Sequence, residues 1–305
     1  FFFIMATREE FLKRNENAVI RNRENLERYR MEIEKEKEER GFLLHHRLWS
    51  DLNIQSLPRF IRVLKRVSLS IGMWTTLHYL AKAFWKRRAP QVYYSLNDSQ
   101  KIAMAEKVCS TVHGISVSLW ALKICLVDGV FQSNRTLEWY PLHGDELYSL
   151  SLGYEIYDLF TMYHQGTSAR EMWAHHLALI SCYLLEMWFR KVYSVTTTMM
   201  TTELTVLPAN IHWYLKVFNK TNSSFYEMNK LFRLFLFLTL RVFAGPFVLY
   251  GITIKQRKQY SFQHWFLKGI VYCFPIFLSY LNWNWTFKLV KIYMAQKRKR
   301  NLLSQ

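Results

Sequence analysis

Residues 151–180 read SLGYEIYDLFTMYHQGTSAREMWAHHLALI, and this stretch is the most informative part of the sequence. It holds two apolar segments of helical length joined by a short polar connection, and ionisable residues stand inside both segments. Glu155 and Asp158 are three residues apart, which places them on one face of the first helix. His175 and His176 are adjacent, so their side chains point about 100° apart on the second helix. Ionisable groups inside apolar helices need a partner or a function, which predicts membrane helices that hide their polar faces.

Working outward, the chain contains seven apolar segments, and each is close to the roughly 20 residues that a helix needs to cross a bilayer core. They lie at 66–85, 102–127, 147–163, 172–189, 195–215, 231–253 and 268–290. Trp and Tyr residues stand near many of their ends, as in the aromatic belts of membrane proteins. The predicted fold class is therefore all-α: a multi-pass transmembrane helical bundle of about seven spans.

The composition and the charge exclude several classes of protein. Half of the residues are hydrophobic and 17% are aromatic, which excludes a disordered chain or a collagen-like repeat. The formal net charge is +18, and residues 8–40 contribute none of it because they hold ten basic and ten acidic residues. The rest of the chain combines this charge with long apolar runs, so a soluble enzyme is excluded.

Basic residues are distributed unevenly among the predicted loops. Loops one, three and five and the tail carry twelve Lys or Arg residues, whereas loops two, four and six carry six. The positive-inside rule therefore predicts that the tail faces the cytosol, or the matrix if the protein is mitochondrial. We expect membrane lipids as partners and no nucleic acid.

The sequence divides into four regions. They are a charged N-terminal helix at residues 1–40, an interfacial segment at 41–65, a transmembrane domain at 66–294 and a basic tail at 295–305. Thr7 and Glu10 form a capping-box pattern, and neither Gly nor Pro follows until Gly41. This pattern predicts one long polar helix of about 34 residues. Such a helix is either a solvated, salt-bridged helix or an arm that docks on a partner protein.

Further polar residues stand inside the predicted spans. Ser110, Gly114 and Ser118 recur every four residues, which predicts a ridge of small residues for close helix contact. We predict that four side chains converge on one interior cavity as candidate catalytic residues: Asp158, His175, His176 and Glu203. The polar residues predicted to line the same lipid cavity are Glu155, His113, Asn210 and Arg241.

Two interpretations of this polar cluster remain open. A histidine beside a carboxylate can transfer a proton or activate a nucleophile in a dry cavity. Alternatively, these groups hydrogen-bond to one another and fix the helical bundle. The cysteines and histidines of the sequence lack the spacing of metal ligands, so we expect neither a metal nor another cofactor.

Several stretches in this order resemble the TLC domain family, which includes the ceramide synthases, the translocon-associated TRAM proteins and poorly characterised TLC-domain-only proteins. They are VCSTVHGISVSLWAL (108–122), SLGYEIYDLF (151–160), EMWAHHLAL (171–179), MTTELTVLPANIHWYL (200–215), LFLTLRVFAGPFVLY (236–250) and LNWNWTFKLVK (281–291). The resemblance covers about residues 66–294 and is closest to the TLC-domain-only proteins. It implies a membrane protein of the endoplasmic reticulum, with the mitochondrial inner membrane as the alternative that we consider.

The resemblance also implies which residues would carry an enzymatic reaction. The family's enzymes use a His-His pair, which His175 and His176 match, and a His-Asp-x-x-Asp stretch in the next polar span. The corresponding residues 202–206 of this chain read TELTV, so Glu203 is the only acid there. The loss of one histidine and one acid favours a protein that is not an enzyme.

Three functions therefore compete. The first is a membrane protein that binds or organises lipids without robust catalysis. The second is an accessory subunit of a larger membrane complex, such as a mitochondrial one, held by residues 8–40. The third is an acyl-CoA-dependent N-acyltransferase of the ceramide synthase type. The sequence does not identify the lipid, the partner proteins or the oligomeric state.

Overall fold

The computed structural model describes residues 57–127, 143–189, 193–255 and 265–303, together with positions 27 and 257. These residues form helices, turns and short connections, and no strand occurs among them, so the all-α prediction is confirmed. The predicted N-terminal helix and residues 41–56 of the predicted interfacial segment lie outside the described residues, apart from position 27.

The helices follow one another with short connections. Their bounds are α1 Leu57–Arg88, α2 Pro90–Ser95, α3 Asp98–Leu126, α4 Gly144–Gln165, α5 Arg170–Phe189, α6 Tyr193–Met200, a 3₁₀ turn Thr201–Thr205, α7 Val206–Val217, α8 Ser224–Leu236, a π turn Phe237–Arg241, α9 Val242–Tyr250, a π turn Gly251–Lys255 and α10 Trp265–Leu303. Each apolar segment of the sequence lies almost entirely within one of these helices or continuous helical stretches.

Local sequence signals set several helix ends. Asn97 caps α3, because its side chain accepts a hydrogen bond from the backbone N–H of Gln100 at 2.8 Å and the Gln100 side chain accepts one from Asn97 N–H at 3.1 Å. Gly166 ends α4 in the left-handed conformation, with φ of 66°, which glycine adopts without strain. These signals fix where α3 begins and where the α4–α5 connection starts.

Helix α4 packs against α1, α3 and α5, and small residues meet where it crosses α1. A Cβ atom on Gly153 would meet the Ser70 side chain and would lie 3.0 Å from the Val67 carbonyl oxygen. The Ser70 hydroxyl donates a hydrogen bond of 2.9 Å to the Leu150 carbonyl. The glycine therefore lets α1 and α4 approach closely.

The ridge of small residues on α3 contacts the segment from α6 to α7. The Ser118 hydroxyl donates to the Met200 carbonyl at 3.3 Å, and Ser110 Oγ accepts from the Asn210 amide at 2.7 Å. Between them, a Cβ on Gly114 would lie 2.7 Å from the Glu203 carbonyl oxygen. The prediction of a close helix contact at this ridge is confirmed.

The bundle buries many polar side chains and exposes large apolar ones. Its exposed residues include Leu69, Tyr79, Leu80, Phe160, Phe235, Phe243 and Phe247, whereas Glu155, Asp158, His176 and Arg241 are buried. Two continuous helical stretches among the described residues, Asp98–Leu126 and Ser224–Lys255, are long and apolar enough to cross a membrane. Exposed apolar residues around a polar interior are typical of a membrane protein, and the number of spans stays a prediction.

Candidate functional site

His176 lies between two carboxylates of the neighbouring helix. Its Nδ1 forms a short hydrogen bond with Glu155 Oε2, and its Nε2 lies 3.1 Å from Asp158 Oδ2. The two acids project from one face of α4, as their spacing of three residues requires, and α5 brings the histidine to them. The Thr161 hydroxyl donates to Asp158 Oδ1 at 2.9 Å, which fixes that carboxylate. All four side chains are buried.

The number of protons in this group is constrained by hydrogen-bond chemistry. A neutral imidazole donates from one nitrogen only, and an ionised carboxylate only accepts. Nε2 of His176 is buried without a hydrogen-bond partner, and a hydrogen bond between it and Asp158 would require one further proton, either on the ring or on one of the two acids. A paired, buried arrangement of this kind fixes the relative position of α4 and α5.

His175 is buried beside His176 but has different neighbours. Its ring meets the Trp285 ring edge-on with centroids 5.3 Å apart and meets the His176 ring at the same separation. Its Nδ1 is buried and has no hydrogen-bond partner. The two adjacent histidines therefore differ, because one is engaged by carboxylates and the other packs against an aromatic side chain from α10.

The ion-pair partner of Glu203 is Arg241. The nearest atoms of this pair, Oε1 and Nη2, are 3.7 Å apart. Both residues stand in turns that depart from α-helical geometry: Glu203 in the 3₁₀ turn and Arg241 in the first π turn. Such irregular turns change the direction of side chains within a helix and are frequent at functional positions.

Several groups hold the Arg241 guanidinium inside the bundle. Its Nε donates to Thr205 Oγ1 at 2.6 Å, and its Nη1 donates to Asn282 Oδ1 at 3.0 Å. The carbon of the guanidinium lies 5.2 Å from the Phe237 ring centroid and 5.4 Å from that of Trp285, distances typical of cation–π contacts. Trp285 therefore contacts both the arginine and His175.

Trp285 also connects this region to an exposed ion pair. Its indole N–H donates to Glu171 Oε2 at 3.1 Å, and Lys288 donates to both oxygens of the same carboxylate at 2.8 and 2.9 Å. The hydrogen bond from Lys288 lowers the pKa of Glu171 below its ordinary value. Helix α10 is thereby joined to the beginning of α5.

Two of the residues predicted to line the lipid cavity, His113 and Asn210, make contacts between α3, α4 and α7. The His113 ring stacks on the Tyr154 ring with centroids 3.8 Å apart. The Asn210 amide donates to the Lys107 carbonyl at 3.1 Å and to Ser110 Oγ at 2.7 Å. These contacts connect α3 with α4 and with α7.

The sequence analysis missed two buried carboxylates. Glu106 accepts from Lys107 at 2.8 Å and from the Tyr154 hydroxyl at 3.4 Å. Glu186 accepts a short hydrogen bond from Thr196, and its Oε2 is buried without a partner. The signal was available, because both acids stand inside predicted spans, where each ionisable residue needs a partner or a function.

The structure thus brings together Glu155, Asp158, His175 and His176, whereas Glu203 joins Arg241. Arg241 in turn reaches the same region through Trp285. Within the part of the chain that is described, no group of three or more His, Cys, Asp or Glu residues is arranged to hold a metal ion.

The residues of this site lie within a part of the chain that is similar to known proteins. The profile of the TLC domain matches residues 103–291. An uncharacterised TLC domain-containing protein of Schizosaccharomyces pombe is 23% identical over 239 residues, which cover 78% of this chain and 80% of that protein. TLC domain-containing protein 2 of Danio rerio is 22% identical over 135 residues, covering 44% of this chain and 54% of the fish protein.

Proposed function

Because the chain belongs to the TLC domain family, whose members are typically membrane proteins, we propose that it binds or organises lipids among its helices without robust catalysis. The observation that carries this proposal is the engagement of His176 by Glu155 and Asp158. A general base needs a free lone pair within hydrogen-bond reach of the substrate. Carboxylate oxygens stand next to both ring nitrogens of His176, so neither nitrogen faces a substrate, and this histidine holds helices together.

A lipid would find its polar contacts around Trp285. The His175 ring, whose Nδ1 is unpartnered, and the buried guanidinium of Arg241 both contact this indole. An ester or amide carbonyl can accept hydrogen bonds from both groups. The lipid's acyl chains would extend along the apolar outer surface of the bundle, where large hydrophobic side chains are exposed.

Mass spectrometry of lipids that co-purify with the full chain in a mild detergent tests this proposal. The wild-type protein is expected to retain a defined lipid class, and His175→Ala is expected to retain about fivefold less of it, since one hydrogen bond is lost. His164→Ala, at an exposed position on α4, is the matched control and should retain the wild-type amount. Equal retention by all three proteins would contradict a site beside His175.

As a second candidate we propose an acyl-CoA-dependent N-acyltransferase, which the unpartnered Nδ1 of His175 favours. In this reaction the amine nitrogen attacks the thioester carbonyl, His175 accepts the amine proton, and the CoA thiolate leaves. Incubation of the purified protein with acyl-CoA and a sphingoid base tests it. An N-acylated product that His175→Ala abolishes would establish this activity and overturn the non-catalytic proposal.

We further propose about seven spans, with the C-terminal tail on the cytosolic side of the endoplasmic reticulum membrane or, as the alternative, on the matrix side of the mitochondrial inner membrane. The basic loop asymmetry supports this topology. Single cysteines placed in the loops before α3 and before α4 should be labelled from opposite sides. Labelling of both loops from one side would refute it.

A protein partner for residues 8–40 is also a proposal. These residues carry twenty charges that cancel, and an isolated helix of this composition gains little from propensity. Deletion of residues 1–40 is expected to leave the bundle folded but to release a partner protein. If the truncated chain co-purifies with every protein that the full chain binds, the role as an accessory subunit loses its support.

A further inference from the structure

The junction of α7 and α8 contains buried polar atoms that are not paired. Asn229 ties the two helices together by donating to the Pro208 carbonyl at 2.9 Å. Beside this bond, the His212 ring, 8% exposed, stacks on the Tyr226 ring with centroids 4.8 Å apart. Both His212 Nδ1 and Arg233 Nε are buried without a hydrogen-bond partner. Buried donors and acceptors are rarely left in this state, so the junction is suited to a ligand.

Most of the charges around these atoms are positive, and Glu227 is the acid among them. Lys230 is buried; its Nζ donates to Glu227 at 2.7 Å and to Gln296 at 3.2 Å and lies 5.1 Å from the Tyr226 ring centroid. Arg233, by contrast, has no ion pair with any residue that the structure describes. Lys216 and Lys220 are exposed at the end of α7 and just after it. We call His212, Tyr226, Lys230 and Arg233 the basic cluster.

An apolar surface adjoins the basic cluster. Helix α8 exposes five large hydrophobic side chains: Phe225 (48%), Met228 (59%), Leu231 (52%), Phe232 (46%) and Phe235 (58%). A soluble anion would use only the charges of this region. A phospholipid would use both parts, since its phosphate would meet the cations and its acyl chains would cover the apolar face. Basic pockets between membrane helices are known to bind anionic headgroups.

We propose that the basic cluster binds the phosphate of an anionic phospholipid whose acyl chains lie along α8. The Arg233 guanidinium and the Nδ1–H of the His212 ring donate to the phosphate oxygens, and Lys216 and Lys220 add long-range attraction. This site is separate from the region around His175, because Arg233 precedes Arg241 by eight residues, or about 12 Å along the helix. Either site can therefore fail experimentally without the other.

The test measures binding of dioctanoyl phosphatidylglycerol to the full chain in detergent by native mass spectrometry. Dioctanoyl phosphatidylcholine and inorganic phosphate are the comparison ligands. The wild-type protein is expected to bind phosphatidylglycerol in preference to both, and more weakly as salt is raised. Equal binding of phosphatidylcholine would overturn the proposal that negative charge selects the ligand. Equal binding of inorganic phosphate would show that the site binds a phosphate group without needing a lipid.

Variants then locate the site. Arg233→Gln is expected to weaken phosphatidylglycerol binding about five- to tenfold, whereas Arg233→Lys keeps the charge and should retain most of the affinity. Lys123→Gln is the matched control, because Lys123 is exposed in the last turn of α3, away from the basic cluster in sequence. It should change the affinity less than about twofold. Wild-type affinity in Arg233→Gln would refute the assignment.

A second variant keeps the test decisive if Arg233→Gln does not fold. The double substitution Lys216→Gln and Lys220→Gln changes exposed side chains only, so folding is expected to be preserved. It should weaken phosphatidylglycerol binding by about fivefold or more, because two cations leave the neighbourhood of the phosphate. No change in affinity would contradict the proposal.

Discussion

His176 and His212 are both more than nine-tenths buried, yet they stand in opposite surroundings. His176 has a carboxylate oxygen from α4 at each ring nitrogen. His212 has an unpartnered Nδ1 and lies at a junction that also carries Lys230 and Arg233, whose Nε has no hydrogen-bond partner among the described residues. A buried histidine can therefore complete the packing of helices or can leave a place for a ligand, depending on whether neighbouring helices supply the opposite charge.

The first prediction tests the comparison directly and has the largest expected effect. His176→Ala leaves two buried carboxylates facing each other without their partner, which is expected to lower the free energy of unfolding by about 3–5 kcal/mol. His212→Ala removes a ring that lacks one hydrogen bond and should cost less than about 2 kcal/mol in the absence of anionic lipid. Thermal unfolding of both variants in the same detergent provides the measurement.

A double substitution sharpens this result. Adding Glu155→Gln to His176→Ala removes one of the uncompensated carboxylates, so part of the lost stability should return, and the two substitutions should not be additive. Additive losses, or equal losses for His176→Ala and His212→Ala, would mean that the two histidines do not differ in the way that their contacts indicate.

The second prediction concerns Gly114, which lies where α3 touches the 3₁₀ turn. Gly114→Ala places a Cβ atom 2.7 Å from the Glu203 carbonyl oxygen, and the backbone must move to relieve this contact. We expect a loss of about 1–3 kcal/mol in the free energy of unfolding. Gly72→Ala is the matched control, because nothing lies within 4 Å of the added Cβ, and alanine in a helix is favoured by about 0.5–1 kcal/mol.

Gly114→Ala also tests whether the two proposed lipid sites are independent of each other. If the substitution disturbs lipid retention at His175 but leaves phosphatidylglycerol binding at the basic cluster unchanged, the two regions are independent. Stability equal to that of Gly72→Ala would show that α3 and the 3₁₀ turn are not in close contact.

The third prediction has the smallest effect and depends on pH. Glu171 accepts hydrogen bonds from Lys288, Asn284 and Trp285, and the lysine holds its pKa below the ordinary value of 4.5. A lowered pKa in the folded state contributes stability above 4.5, and this contribution is lost as the pH falls through the folded-state pKa. Glu171→Gln should therefore melt slightly below wild type at neutral pH, and the difference should vanish in acid.

Asp98→Asn is the control for this series, because Asp98 is an exposed acid paired with Lys101 within α3 and does not connect two helices. Its melting temperature should follow that of wild type across the same pH range. A difference between Glu171→Gln and wild type that grows on acidification would reverse the expected sign and contradict the pairing with Lys288.

Much of the fold follows from the sequence through simple periodicities. Apolar segments of sufficient length predicted the helices, and the spacing of Ser110, Gly114 and Ser118 predicted the close contact of α3. The juxtaposition of α4 and α5 follows from their short connection, which brings Glu155 and Asp158 to the level of His176. The roles assigned to these residues in binding or catalysis stay predictions.

The partner of Glu203 could not be found by the same reasoning. Extrapolating a period of 3.6 residues assumes an unbroken α-helix, but Glu203 stands in a 3₁₀ turn and Arg241 in a π turn. Each turn rotates the residues that follow it relative to an ideal helix, so the faces that meet cannot be read from spacing. The sequence names both charged residues but not their pairing.

The two π turns have a consequence for the length of the chain. A π turn closes its hydrogen bonds over five residues, so it holds one residue more than the α-helical turn that it replaces. Loss of a single residue from Phe237–Arg241 would restore a regular helix and rotate everything after it by about 100°. Gly245 would then leave the Ser279 side chain on α10, against which it packs. At this point the helix tolerates an exchange of one amino acid for another far better than an insertion or a deletion.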